Sequence, residues 1–223
     1  MQQLSLDLPI KENSDPYLEE DFVLLDENSA AVNFLSKFFA QKKFSQAQFP
    51  SLLLRGPAQS GKTHILNIFA KKFQAEFLQI AEISDQNLSS FFSENKFYIL
   101  ENINEITDEK LLFHLVNAAA ESKAFLILSS QNKAQFELKD LSSRIKNIFA
   151  LEIKNPSQEA IKMLLINAFS RKQLKVSRGV IDFIASHSER TFEAVVVSVK
   201  LVEFYTAEVG KNITIKEMKK ILY

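Results

Sequence analysis

The sequence predicts an α/β protein: a parallel sheet with covering helices built around a phosphate-binding loop, followed by a small all-helical region. Three observations predict it. Gly56-Pro57-Ala58-Gln59-Ser60-Gly61-Lys62-Thr63 fits the G-x-x-x-x-G-K-[ST] pattern in full. Up to residue 154, short apolar runs alternate with amphipathic stretches, which argues for parallel strands joined by helical crossovers. After Lys154 only helical spacing remains.

Taken in order, Leu4, Leu6 and Leu8 alternate with Ser5 and Asp7 at the N-terminus. Residues 9–21 are polar and mostly acidic, with a break at Pro16, and read as a flexible tether. Ala31, Phe34, Leu35, Phe38 and Phe39 recur at helical spacing within Asn28–Gln41. Apolar runs at Leu52–Leu54, Phe77–Ile80, Phe97–Leu100, Phe125–Leu128 and Ile148–Ile153 suit strands buried on both faces. Amphipathic stretches at Thr63–Phe73, Leu88–Phe92 and Glu109–Ala120 lie between them. Asn155-Pro156 predicts a helix start, a cap followed by proline at the first helical position. Ile161, Leu164, Leu165 and Ala168, then Val180–Ser186, Thr191–Glu208 and Ile215–Leu222, predict about four helices. The expected divisions are a peptide at 1–8, a tether at 9–21, a nucleotide-binding domain at 22–154 and a helical domain at 155–223.

Composition narrows the function. Of 223 residues, 46% are apolar and 24% charged, as in ordinary globular proteins. Lys+Arg and Asp+Glu number 27 each, so the formal net charge is zero. A protein gripping duplex DNA with its own surface usually carries a basic excess, so direct sequence-specific DNA binding is not expected. The absence of cysteine excludes disulfides, thiolate metal sites and cysteine nucleophiles. His64, His114 and His187 lack ligand spacing and read as helix-surface or boundary residues. The start lacks a signal-peptide pattern and no apolar run is long enough to span a bilayer, so no membrane role is expected and a cytoplasmic location is the simplest.

The loop carries the chemistry. Its glycines let backbone N–H groups wrap phosphate oxygens, and the following helix adds a favourable dipole. Lys62 would contact the terminal phosphates and Thr63 would hold Mg²⁺. An ordinary glycine-containing loop is the alternative; eight residues in register between a strand and a helix argue against it. Glu101, ending Phe97–Leu100, would hold Mg²⁺ through water, or else is a strand-end carboxylate facing solvent. Asn102 stands where an active ATPase commonly has a water-orienting acid. An amide can orient water but cannot accept its proton at neutral pH, so the expectation is good nucleotide binding and poor turnover.

With these residues in hand, the chain resembles the AAA+ core of the DnaA family of bacterial replication initiators, and within it the short regulatory Hda type. The resemblance runs from about Asp21 to the C-terminus. It rests on Phe22-Val23 with Asn28 and Ala31, on Gly61-Lys62-Thr63-His64, on Leu100-Glu101-Asn102-Ile103 and on Leu126–Gln131. It implies that Phe22, Val23 and Asn28 lie beside the adenine, and it gives His64 a place in the extended phosphate loop. The paired prolines that often follow the sensor strand are Lys133 and Ala134 here; Gln131 is the matched sensor position or a solvated loop residue. Leu138-Lys139-Asp140-Leu141-Ser142-Ser143-Arg144 is similar to the segment bearing an arginine finger, which acts in trans on a neighbour's nucleotide. The spacing alone also allows Arg144 to pair with Asp140 on a helix. Arg190 matches the lid arginine that contacts bound nucleotide, the alternative being a surface pair with Glu193.

Gln3-Leu4-Ser5-Leu6-Asp7-Leu8 resembles peptides that bind the replicative sliding clamp. In an extended peptide Leu4, Leu6 and Leu8 share one face, and the Gln3 amide helps set the register. A disordered tail or an added edge strand is the alternative. The resemblance implies an ADP- or ATP-binding regulatory adaptor that docks on the clamp and stimulates hydrolysis of ATP bound to DnaA, with homo-oligomers possible and ADP as its working ligand. An autonomous AAA+ ATPase such as a helicase or clamp loader is the alternative. A DNA-binding initiator would need a further domain after the lid, for which the chain to Tyr223 leaves no room, and no substrate-site signature of a small-molecule kinase is present.

Overall fold

Three leucines in succession cannot all face one side of a strand, so β1 (Ser51–Gly56) needs cover on both faces. Leu52 and Leu54 pack under α1 (Asp26–Phe39) and α2 (Lys62–Phe73), while Leu53 packs under α4 (Glu109–Glu121). The same alternation splits β3 (Phe97–Leu100) and β4 (Phe125–Gln131): Phe97, Ile99, Phe125 and Ile127 go to the first core, and Tyr98, Leu100, Leu126 and Leu128 to the second. This computed structural model describes residues 17–222 except 42, 44–49, 85–87 and 132–133.

The five strands run parallel in the order β2 (Glu76–Phe77), β3, β4, β1, β5 (Phe149–Glu152). Gly56 stands opposite Gln131 and Leu100 opposite Leu128. The loop after β1, Glu101 after β3 and the end of β4 therefore meet along one edge, the carboxyl edge where parallel α/β sheets place ligands. Phenylalanine supplies much of the first core. Phe39 stacks on Phe69 at 5.2 Å and Phe97 on Phe125 at 4.5 Å, with Phe38 edge-on to both Phe97 and Phe125. Each such pair contributes about 0.5–1.5 kcal/mol beyond its buried area.

Several sequence expectations change at the edges. β2 covers only two residues, and Ile80–Glu82 forms a 3₁₀ turn instead of continuing the strand. β5 is not buried on both faces: as an edge strand it buries Leu151 but exposes Ala150 and Glu152. The stretch at 88–92 gives a single turn, α3 (Leu88–Phe91). Lys139–Lys146 forms α5, which drives Leu141 and Ile145 into the second core.

Beyond β5, α6 (Gln158–Arg171), α7 (Arg178–His187), α8 (Phe192–Val209) and α9 (Ile215–Leu222) surround a separate core that includes Ile161, Leu165, Phe169, Ile184, Val202 and Met218. The start of α6 corrects the expectation at Asn155-Pro156. Ser157 is the cap, its Oγ accepting from the Ala160 N–H at 3.2 Å, and Pro156 precedes it. The Ser157 N–H is itself taken by Glu27 Oε1 at 2.8 Å, which ties the first turn of α1 to the entry of the helical region. Burial pushes the Glu27 carboxyl up, but the hydrogen bonds from Ser157 outweigh it and hold it below its ordinary value. No helix among the described residues is long and apolar enough to cross a membrane.

Candidate nucleotide-binding site

The loop between β1 and α2 is shaped by two glycines. A Cβ on Gly56 would come within 2.9 Å of both Ile153 Cβ and Ser60 Oγ. Gly61 has φ 85°, the left-handed turn that brings the chain into α2. Lys62 and Thr63 are the first residues of that helix, where N–H groups have no carbonyl one turn back and the helix dipole is positive. The Lys62 side chain is buried and donates to the carbonyls of Gly56 at 2.9 Å and Pro57 at 2.8 Å. Burial lowers its pKa below the ordinary 10.5, with the Glu101 carboxylate opposing the shift. Two neutral carbonyls take two of the ammonium's three hydrogens and leave its charge unmatched; an anion in the loop would take the third and balance the charge. Ser60 Oγ is also buried with no partner among the described residues. Ala58 and Gln59 complete the turn, Gln59 with φ 60°.

Across the loop, Thr63 Oγ1 donates to Glu101 Oε1 at 2.7 Å. These two oxygens fit Mg²⁺, a hard cation that takes few protein ligands and completes its shell with waters and phosphate oxygens. The described residues contain no group of three or more acidic, histidine or cysteine side chains placed to hold a metal by themselves. Asn102 adopts φ 51°, and its N–H is held by Ser129 Oγ at 3.1 Å. The Gln131 N–H is taken by Asn104 Oδ1 at 2.9 Å. Asn102 and Gln131 thus line the same hollow as Lys62 and Thr63.

A second hollow, about 740 Å³ including its open mouth, continues from Ser60 and Gly61 to the helical region. One wall carries Phe22, Val23 and Asn28. Asn28 is buried with its amide fully used: Oδ1 takes the Leu25 N–H at 2.9 Å and Nδ2 donates to the Val23 carbonyl at 3.0 Å. It shapes the backbone of residues 23–25 and so acts on this wall through main chain. His64 does more than pack on its helix. Its Nε2 bonds the Leu18 carbonyl at 2.8 Å, and its ring meets Tyr17 and Phe22 edge-on at 5.6 and 5.4 Å, pinning residues 17–22 over the loop. The opposite wall comes from α6 and α8 with Leu164, Asn167, Ala168, Phe192 and Val195. Arg171 of α6 reaches Asp21 at 2.7 Å across the mouth, an ion pair with no sequence signal because its partners lie far apart in the chain.

Two arginines lie elsewhere. Arg190 stands exposed before α8, outside the residues that line the cleft, and forms no ion pair with Glu193 among the described residues. Arg144 is exposed near the end of α5 beside Pro50 and Ser51, where β1 begins, so the length of that strand separates it from its own phosphate loop. Its Nη2 donates to Asn117 Oδ1 of α4, and Asp140 does not pair with it. Gln3, Leu4, Leu6 and Leu8 lie outside the described residues.

The fold is that of the AAA+ P-loop domains. It matches domain III of Thermotoga maritima DnaA with a TM-score of 0.72 at 15% identity, covering 91% of this chain and 94% of that one. It also matches the Thermotoga maritima RuvB Holliday junction branch migration motor at 0.67 and 18% identity, covering 92% and 70%. A DnaA bound to AMPPCP and single-stranded DNA matches at 0.67 and 17% identity, covering 85% and 65%. Within that class the sequence relation runs, at low identity, to the chromosomal replication initiator DnaA. The chain is 23% identical to the Bacteroides fragilis protein over 247 residues, covering 96% of this chain and 52% of that protein. An uncharacterised Haemophilus influenzae protein is 26% identical over 234 residues, covering 97% of both. The chain spans about half the length of the DnaA relatives it matches. No protein-family model matches it.

Proposed function

We propose that this chain binds ADP or ATP with Mg²⁺ in the cleft between the phosphate loop and the helical lid. Loaded in this way, it serves as a regulatory adaptor of replication initiation. The observation that carries the binding reading is Lys62: among the described residues this buried cation hydrogen-bonds only to two loop carbonyls, beside a Ser60 hydroxyl with no partner there, an arrangement that suits a phosphate. Bound Mg²⁺ would supply charge neutralisation at the phosphates, with Thr63 and Glu101 as the protein oxygens nearest to hand. Asn102 offers no base for water, which supports slow turnover of the chain's own nucleotide.

The same reading has Arg144 act on ATP held by DnaA. Its exposure, and its place at the far end of β1 from its own loop, support action on another molecule rather than in cis. Gln3, Leu4, Leu6 and Leu8 would dock on the sliding clamp, the part of the expected tether before the packed residues 17–21 holding the body near its partner at high local concentration. Homo-oligomers through the same face are compatible with this geometry.

The test is reconstitution with ATP-loaded DnaA and clamp-loaded DNA. The expected result is accelerated conversion of DnaA–ATP to DnaA–ADP, lost with Gln3→Ala or Arg144→Ala. Indifference to both substitutions would remove the adaptor reading. The fold shared with the RuvB motor favours a second reading, an autonomous ATPase, and brisk steady-state hydrolysis by the isolated chain would favour it instead.

A further inference from the structure

The polar groups along the lid-side cleft are nearly all committed to the protein itself. Both ends of the Asn28 amide are used, Asp21 and Arg171 hold each other, and His64 Nε2 is bound to a carbonyl. Gln59 and Ser60 make no side-chain hydrogen bond among the described residues, but both belong to the phosphate loop. The exception on the lid wall is Asn167. It sits on α6 between Leu164 and Ala168, is half-buried, and makes no side-chain hydrogen bond among the described residues. An amide placed in an apolar wall with both its donor and its acceptor unspent is suited to a ligand edge that offers one of each.

We infer that Asn167 is the specificity-determining residue of the cleft, reading the edge of an adenine base. This rests on the nucleotide-binding reading above. With its phosphates on the loop, a nucleotide's base would extend into the space between Val23 on one wall and Leu164 and Phe192 on the other. Adenine presents an exocyclic N–H donor beside a ring-nitrogen acceptor, the pair that one carboxamide satisfies with both its groups. Along the same edge, at N7 and the 6-position, guanine and hypoxanthine present two acceptors, so the Asn167 carbonyl would face an acceptor and lose its bond. The Asp21–Arg171 pair one turn away would hold α6 in register for this contact.

The experiment compares ADP and inosine diphosphate, which differ at the 6-position of the base, by calorimetry on the full chain with and without Asn167→Ala. The unaltered chain is expected to prefer ADP by about tenfold, the discrimination of one good amide–base pair. Asn167→Ala is expected to weaken ADP by a similar factor while leaving inosine diphosphate within about twofold, so that the preference collapses. Asn167→Gln, which keeps the amide, should retain part of it, and circular dichroism would establish that each variant is folded. An ADP preference untouched by Asn167→Ala overturns the assignment while the cleft reading stands. Failure of the unaltered chain to bind any nucleotide overturns both.

Discussion

β1 has a cation at each end, and the two are built in opposite ways. At its carboxyl end Lys62 is buried, bonded to two loop carbonyls, and lowered in pKa by that burial. At its amino end Arg144 is exposed and held by one amide, Asn117. Under the proposed function the contrast has a physical meaning. A cation that serves a ligand inside its own fold gains from burial, because desolvation strengthens its pull on a phosphate once the phosphate arrives. A cation that serves a ligand on another molecule must remain in water until docking, and must not be neutralised beforehand. Asn117 orients the guanidinium without cancelling its charge; Asp140, one helical turn away in sequence, would have cancelled it.

The comparison can be broken most sharply at the exposed end. Arg144→Ala should abolish stimulation of a partner's ATP hydrolysis, an effect on the order of 10³-fold for an arginine finger, while the chain's own ADP affinity stays within about twofold. A parallel loss of ADP affinity would mean that the two ends are not independent. At the buried end Lys62→Ala should lower ADP affinity by about 100-fold, equivalent to ~3 kcal/mol. Titration calorimetry would reveal it, and a loss below about fivefold would mean that Lys62 is not the phosphate cation.

Asn117→Asp sharpens the contrast. It keeps an acceptor for Arg144 but adds a negative charge, so stimulation should fall several-fold although the hydrogen bond strengthens. Asn117→Gln should be milder, and equal effects of the two would argue for a steric role alone. The smallest effect is on stability. The unfolded chain keeps the lysine proton up to about 10.5, whereas the folded chain releases it earlier. The ligand-free protein should therefore gain stability as pH rises from the lowered value toward 10.5, and Lys62→Met should flatten that rise in denaturant titrations.

Much of this was legible from residues alone because the signals are local. The loop pattern needs only eight consecutive positions, and Leu52–Leu54 announce a doubly covered strand through the two-residue period of the β pleat. The expected helix start at Asn155-Pro156 gives way to Ser157, whose own hydroxyl caps the helix three residues on, while a carboxylate some 130 positions away, Glu27, takes the Ser157 N–H, a bond no local pattern announces. β5 lost its second face because it is an edge, a property of strand order rather than of its own residues. The expected adenine-side residue Asn28 lines the cleft, but its amide is spent on its own backbone, which no motif could have revealed.

By itself, then, the sequence determined the class of fold, the phosphate loop and the types of side chain available to it, since propensity, period and motif act over a few residues. Only the tertiary structure decided which groups are buried or paired across the fold: Lys62 buried and Arg144 in water, Asp21 joined to Arg171, and Asn167 with no side-chain hydrogen bond among the described residues. The reason is that burial and such pairings depend on neighbours brought together from distant parts of the chain, and those neighbours exist only once the sheet is ordered and the helical region has packed beside it.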